Sequence, residues 1–74
     1  MPPGNYARLG DKIRQGRRRK GLTQEQLGDL IGKHQVTVAR WETSRYIPMG
    51  ESLAAFVWHL DLKLSASEQK LLAL

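Results

Sequence analysis

The sequence predicts an all-α fold, a compact bundle of about five short helices. Apolar residues recur at spacings of three and four along most of the chain, and polar pairs that cap helices precede two apolar stretches. The chain has 74 residues and no cysteine, so packed helices, or pairing with a second chain, must stabilise a single small domain. The helices are predicted over residues 6–20, 24–31, 35–43, 50–60 and 66–73.

The charge is divided unevenly along the chain. Residues 1–48 contain ten Lys and Arg against four Asp and Glu, whereas residues 49–74 contain two against three. A basic front part with a nearly neutral, leucine-rich rear part indicates a polyanion-binding surface backed by a structural or pairing segment. On charge alone, a merely solvated basic face is the alternative.

The first helix follows a predicted disordered lead, residues 1–5. Its apolar face consists of Tyr6, Leu9 and Ile13 at helical spacing. It ends in the basic run "RRRK", which fits both a helix end stabilised by the dipole and a contact to phosphate.

The second helix has the clearest local signals. Thr23 and Gln26 form a capping box at its start, and Gly32 is well placed for a left-handed C-cap at its end. Its buried stripe is predicted to consist of Leu27, Leu30 and Ile31.

The third helix is predicted for the stretch "HQVTVARWE", although Val-Thr-Val alternates like a strand. As a strand, the stretch has no clean apolar face. As a helix, it places Val38 and Trp41 on one side and Val36 and Arg40 on the other. The helix is therefore preferred, and Trp41 is predicted to pack in the core rather than to stack on a base.

The last two helices follow a loop closed by Pro48. The fourth directs Leu53, Phe56, Val57 and Leu60 inward. Ser65 and Glu68 form a second capping box, which opens the fifth helix. We expect one folded unit over residues 6–64, and a C-terminal helix over 65–74 that either folds back on its own domain or pairs with a second copy.

Two short helices joined by a tight turn form a helix-turn-helix arrangement. Here the stretch "GLTQEQLGDLIGKHQVTVARWETSRYIP" resembles the phage-repressor-like (lambda repressor and Cro) family, and the resemblance runs from about Leu9 to Leu60. The positions that carry the resemblance are Leu22, Thr23, Gln24, Leu27, Gly28, Gly32, Val38, Trp41, Glu42 and Pro48.

Five residues depart from the family pattern. Gly28 replaces a usual Ala, where only a small residue is needed. Gly16 replaces an apolar residue and predicts a thinner core, and Lys33 occupies a turn position that is more often apolar. His34 replaces the usual Ser or Thr cap and predicts a less firm start of the third helix. Ser44 stands where Gly is typical, which predicts a left-handed backbone conformation.

The resemblance implies that the third helix enters the DNA major groove and reads base edges. The expected base-reading residues are Gln35, Val36, Thr37 and Arg40. The expected phosphate contacts are Gln24, Arg18, Arg19, Lys20, Lys33, Thr43, Ser44, Arg45 and Tyr46. For Gln35 the alternative is a solvated amide, and for Arg40 it is a phosphate contact only.

The resemblance also implies a buried ion pair between Arg17 and Glu42. Leucines in the rear part exceed what one small core needs, which predicts a homodimer on a (pseudo)palindromic operator. The expected dimerisation residues are Trp58, Leu71, Leu72 and Leu74.

The expected function is a double-stranded DNA-binding regulator, a repressor. Neither an enzyme, a metal site nor a cofactor is expected, because the sequence has no nucleophile–base pair, no phosphate loop and no His or Cys at ligand spacing. Neither a membrane span nor a signal peptide is expected, because the apolar runs are short, and a cytoplasmic protein encoded by a bacterium or phage is expected. The alternative is an antitoxin-like module that binds a protein partner, and RNA binding is less favoured because exposed aromatic residues are sparse.

Overall fold

The computed structural model describes residues 8–74, and this part of the chain is helical without any β-strand. The helices are α1 Leu9–Arg19, α2 Gln24–Ile31, α3 Gln35–Glu42, α4 Gly50–Leu60 and α5 Ala66–Gln69, and a 3-10 turn over Lys70–Ala73 continues α5. The predicted all-α fold of about five helices is therefore confirmed.

The predicted helix boundaries hold to within a few residues. In the described residues α1 runs from Leu9, with Arg8 as its N-cap. The predicted start at residue 6 lies outside the described residues. The last helix tightens into its 3-10 turn after Gln69. Tyr6 and the predicted lead over residues 1–5 lie outside the described residues.

The core forms where α1, α2, α3 and α4 meet, and α5 with its 3-10 turn closes it. Its buried apolar residues are Leu9, Ile13, Leu27, Val38, Leu53, Phe56, Leu60, Leu62 and Leu71. Trp41 packs on this core as predicted, with its ring edge-on to Phe56 at a centroid distance of 5.3 Å.

The predicted stripe of α2 was wrong at one position. Leu27 is fully buried and Ile31 is partly buried, but Leu30 is 49% exposed. The buried arc of α2 is centred between Leu27 and Gly28, because Gly28 is buried too. Leu30 lies about 110° from that centre at 100° per residue and therefore faces outward.

Two glycines let α1 approach its neighbours closely. A Cβ at Gly10 would lie 2.6 Å from the backbone oxygens of Trp41 and Glu42, so α1 rests directly on the end of α3. A Cβ at Gly16 would lie 3.1 Å from atoms of Leu60 and Leu62. The predicted thin core at Gly16 is therefore wrong, since the end of α4 fills the space.

The C-terminal segment folds back on its own domain. Ser65 caps α5 in the predicted capping box, and Glu68 is buried there. The Lys12 ammonium donates to Glu68 Oε1 at 2.6 Å, which ties α5 to α1. Leu71 is 5% exposed and belongs to the core. No helix within residues 8–74 is long and apolar enough to cross a membrane.

Candidate nucleic-acid interface

Local signals position α3 against α2. Thr23 Oγ1 accepts from the Gln26 N–H at 3.0 Å, and Gln26 Oε1 accepts from the Thr23 N–H at 2.9 Å. Gly32 ends α2 with φ 70°. A methyl group at Gly28 would overlap the Lys33 carbonyl oxygen, so the turn passes directly over Gly28. Together these contacts place α3 close beside α2.

A histidine caps the start of α3. The Val36 N–H donates to Nδ1 of His34 at 3.1 Å, and the His34 backbone is extended, as N-cap residues usually are. The substitution of His for the usual Ser or Thr therefore does not leave this helix end without a cap. The imidazole accepts the hydrogen bond only while Nδ1 carries no proton.

The two sides of α3 differ sharply in exposure. Val38 is fully buried and Glu42 is 3% exposed, whereas Gln35, Val36 and Arg40 are exposed. Thr37 is half-buried at the edge. An amide, a methyl-bearing side chain and a guanidinium thus project from one outward face of a two-turn helix.

A buried ion pair fixes α3 against α1. Arg17 Nε donates to Glu42 Oε2 at 2.7 Å and Arg17 Nη2 donates to Glu42 Oε1 at 3.1 Å, with side-chain exposures of 12% and 2%. The hydrogen bond to Glu42 raises the pKa of Arg17 above its usual value. Arg17 Nη1 also donates to the Leu22 carbonyl at 2.9 Å, so one guanidinium connects α1, α3 and the start of α2.

Gln24 completes this network. Its Nε2 donates to Glu42 Oε1 at 3.2 Å, a contact that the sequence analysis missed. No local pattern in the sequence indicates this contact, because Gln24 and Glu42 lie 18 positions apart. The sequence predicts only a phosphate contact for Gln24. An amide nitrogen has two hydrogens, so one remains for another acceptor.

α3 ends in a tight left-handed turn at Ser44, with φ 62°, as the sequence predicted. The Ser44 N–H donates to the Trp41 carbonyl at 3.2 Å and the Arg45 N–H donates to the Arg40 carbonyl at 3.0 Å, which is the Schellman pattern. The turn brings the Tyr46 ring under the Arg40 side chain, and the guanidinium carbon lies 5.6 Å from the ring centroid.

A shallow groove of about 290 Å³ opens beside this turn. Its lining is mainly apolar and consists of Thr37, Arg40, Trp41, Tyr46 and Ile47. The groove adjoins the outward face of α3, so a molecule that contacts Arg40 also meets this surface.

The predicted phosphate-binding cations fall into two groups. Among the described residues, no carboxylate forms an ion pair with Arg18, Lys33 or Arg45. By contrast, Lys20 Nζ pairs with Asp61 Oδ2 at 2.9 Å, and Arg19 Nη2 donates weakly to the Leu60 carbonyl at 3.5 Å. The hydrogen bond from Lys20 lowers the pKa of the fully exposed Asp61. Arg19 and Lys20 thus contact the end of α4 rather than α3.

Polar side chains in the turn after α3 are also engaged. The Thr43 hydroxyl donates to the Arg40 carbonyl at 3.2 Å. Ser44 makes contacts within the protein as well, beside Gly10. Within residues 8–74, no three histidine, cysteine or acidic side chains are grouped as metal ligands.

The residues predicted for dimerisation differ in their exposure. Trp58 is 79% exposed, Leu74 is 74% exposed and Leu72 is 38% exposed. Leu71 must be removed from this set, because it is buried in the core of its own domain. The rear part therefore completes the core, and three of the four residues predicted for dimerisation lie outside it.

Residues 13–65 match the family model described as helix-turn-helix. The chain belongs to the phage-repressor-like helix-turn-helix family. This helix-turn-helix chain is similar to Repressor protein C2 of Salmonella phage P22, with 35% identity over 51 residues, which are 69% of the chain and 24% of that protein. It is also similar to Endothelial differentiation-related factor 1 of Homo sapiens, with 35% identity over 60 residues, which are 81% of the chain and 40% of that protein.

The chain thus spans less than half the length of either relative. No solved structure matches it. The family is one of DNA-binding regulators rather than enzymes, and α2 and α3 are the two helices of its motif here.

Proposed function

We propose that the protein is a sequence-specific double-stranded DNA-binding transcriptional regulator, a repressor, that inserts α3 into the major groove. The outward face of α3 carries this proposal. Gln35, Val36 and Arg40 project together from a helix that Glu42 holds against the domain. Gln pairs with adenine, Arg pairs with guanine, and the methyl groups of Val36 and Thr37 suit a thymine methyl.

The phosphate contacts would flank this face. Lys33 and Arg45 lie at the two ends of α3 and have no carboxylate partner among the described residues. Gln24 would contribute its second amide hydrogen at the start of α2, where the helix dipole also attracts phosphate. Arg18 is a further candidate, whereas Arg19 and Lys20 would first have to release their contacts at the end of α4.

Selection of bound duplexes from random DNA tests the proposal. We expect one preferred sequence with two related half-sites, and affinity that falls steeply with salt because each phosphate contact releases counterions. An outcome in which random and selected duplexes bind equally would refute sequence-specific recognition. Preference for single-stranded RNA over duplex DNA would also refute it.

Two substitutions that each remove one positive charge separate base reading from phosphate binding. Arg40→Ala should relax the preference at one base pair, at a cost of about 1–3 kcal/mol of discrimination. Lys33→Ala should weaken binding to all sequences about equally and reduce the salt slope. Gln35→Ala should behave like Arg40→Ala, but at a different base pair. If Arg40→Ala weakens binding without relaxing any position, Arg40 contacts only the backbone.

We also propose a homodimer, because one helix-turn-helix offers few base contacts and a dimer reads two half-sites about 34 Å apart. The domain measures 27 × 23 × 20 Å, so two copies side by side can span that distance. Trp58 and Leu74 supply exposed apolar surface for the contact. The same exposed Trp58 favours the second candidate, an antitoxin-like module whose rear part binds a different protein.

A further inference from the structure

The loop after α3 returns to the helix it has just left. The N–H groups of Arg45 and Tyr46 both donate to the Arg40 carbonyl, at 3.0 and 3.5 Å. These bonds tie the backbone that carries the Tyr46 ring to the residue that carries the guanidinium. The ring then lies under the Arg40 guanidinium, whose carbon is 5.6 Å from the ring centroid.

This contact restricts a side chain that no ion pair holds among the residues the structure describes. Arg40 is exposed, and no carboxylate within residues 8–74 forms an ion pair with it. An unrestrained arginine loses much rotamer freedom when it pairs bidentately with a base, since the planar fork must be aligned. An aromatic face beneath the guanidinium reduces that loss before DNA arrives, and it leaves the N–H edges of the fork free.

We propose that Tyr46 is a positioning residue, which holds the Arg40 guanidinium for base reading and thereby sets the preference at the base pair that Arg40 contacts. This inference rests on the proposed function, in which Arg40 reads a base. Tyr46 thus acts through its ring face on another side chain, in place of the phosphate contact that the sequence suggested. The left-handed turn at Ser44 is the backbone feature that makes the contact possible.

Three variants separate the ring from the hydroxyl. Tyr46→Phe keeps the ring, Tyr46→Leu removes it, and Arg40→Ala removes its partner. Tyr46→Leu should reduce discrimination at the Arg40 base pair about two- to fivefold, the range that corresponds to an exposed cation–π contact. Tyr46→Phe should retain wild-type discrimination there. In the Arg40→Ala background, Tyr46→Leu should cause no further loss at that position.

The measurement is a binding profile of each variant on the selected duplex and on its three single-base alternatives at that pair. Tyr46 is 58% exposed, so its substitution leaves the buried core intact. A second readout needs no DNA. The NMR shift of the Arg40 side-chain Nε–H should carry a ring-current contribution in wild type and Tyr46→Phe, and should lose it in Tyr46→Leu.

Four results would overturn the inference. Equal weakening on all duplexes by Tyr46→Phe and Tyr46→Leu would assign Tyr46 to the phosphate backbone. An unchanged Arg40 shift in Tyr46→Leu would show that the ring does not hold the guanidinium. If the wild type prefers a base at the Arg40 pair and Tyr46→Leu leaves that preference intact, only this inference fails. If the wild type shows no base preference at all, the proposed function fails with it.

Discussion

At the scale of single residues, Glu42 joins α3 to both α1 and α2. Its two oxygens accept three hydrogen bonds, two from Arg17 and one from Gln24. Glu42→Ala would leave a guanidinium that is only 12% exposed without its charge partner. We expect a loss of about 3–5 kcal/mol in the free energy of unfolding, because an unpaired buried charge is costly. Urea denaturation followed by circular dichroism measures this loss.

The matched control for Glu42 is Asp29→Ala, which removes an exposed carboxylate from α2. Surface substitutions of this kind change stability by about 0.5 kcal/mol or less. Equal, small effects of the two substitutions would show that the ion pair does not hold α3 in place. A domain of this size has only about 4–11 kcal/mol of stability, so the expected loss would unfold a visible fraction of the protein.

Single residues also show what sequence could and could not predict. The left-handed Ser44 was predictable because its conformation depends on the helix end beside it. The bond from Gln24 to Glu42 joins residues far apart in sequence, and only the packing of α2 on α3 brings them together. The sequence therefore indicated which side chains belong near the interface, but not which of them already have a partner inside the protein.

At the scale of elements, the start of α3 is capped by a histidine. A side chain from His34 accepts from the Val36 N–H, as a Ser or Thr cap would. His34→Ala should lower the free energy of unfolding by about 0.5–2 kcal/mol, whereas His34→Ser should restore most of it. Thermal unfolding of the three proteins at neutral pH is the measurement. If the His34→Ala variant is as stable as the His34→Ser variant, a capping side chain at this position contributes nothing to stability.

The ends of the helices were more predictable than their mutual approach. Capping boxes at Thr23 and Ser65 depend on residues three positions apart, so the sequence alone locates them. The contact of Gly10 with the end of α3, by contrast, depends on where α1 crosses another helix. A glycine in a helix looks like a weakness in sequence, and only the folded arrangement shows that it makes room for a neighbouring backbone.

At the scale of the whole molecule, Glu68 joins the last helix to the first. Burial disfavours its charged form, but hydrogen bonds from Lys12 and Ser65 outweigh burial, and the pKa of Glu68 lies below its ordinary value of 4.5. A carboxylate whose pKa is lower in the folded state than in the unfolded state stabilises the fold at pH values above its ordinary pKa. This contribution is lost as the pH falls below 4.5 and through the folded-state pKa. Glu68 therefore stabilises the fold at neutral pH and ceases to do so in acid.

The variant Glu68→Gln tests this linkage. We expect its free energy of unfolding at pH 7 to be lower than that of wild type by about 1–3 kcal/mol. This figure allows for the partial exposure of Lys12, because solvent screens the ion pair. The difference should stay constant down to about pH 5 and should narrow below the ordinary carboxyl pKa. Glu51→Gln, which changes an exposed carboxylate of α4, is the control. A difference between wild type and Glu68→Gln that does not narrow in acid would contradict the assigned pKa.

The fold-back of the C-terminal segment also determines how the proposed dimer must be tested. A chain that ends at Lys63 would lose Leu71 and Glu68, both buried, so its failure to dimerise would reflect damage to the core. Point substitutions avoid this problem. Trp58 and Leu74 lie outside the core, and Leu30 offers a matched exposed leucine on α2.

We expect Trp58→Ala and Leu74→Ala to raise the dissociation constant of the dimer, Trp58→Ala by at least about tenfold, since buried interface tryptophans often contribute most. Leu30→Ala should leave it unchanged. Sedimentation equilibrium, with and without a palindromic duplex, measures the effect. A dimer seen only on DNA would indicate a weak contact that the operator assembles, and Trp58→Ala should then reduce cooperative binding to the two half-sites. A wild-type chain that stays monomeric in both conditions would exclude the homodimer and leave Trp58 as a surface for a different protein.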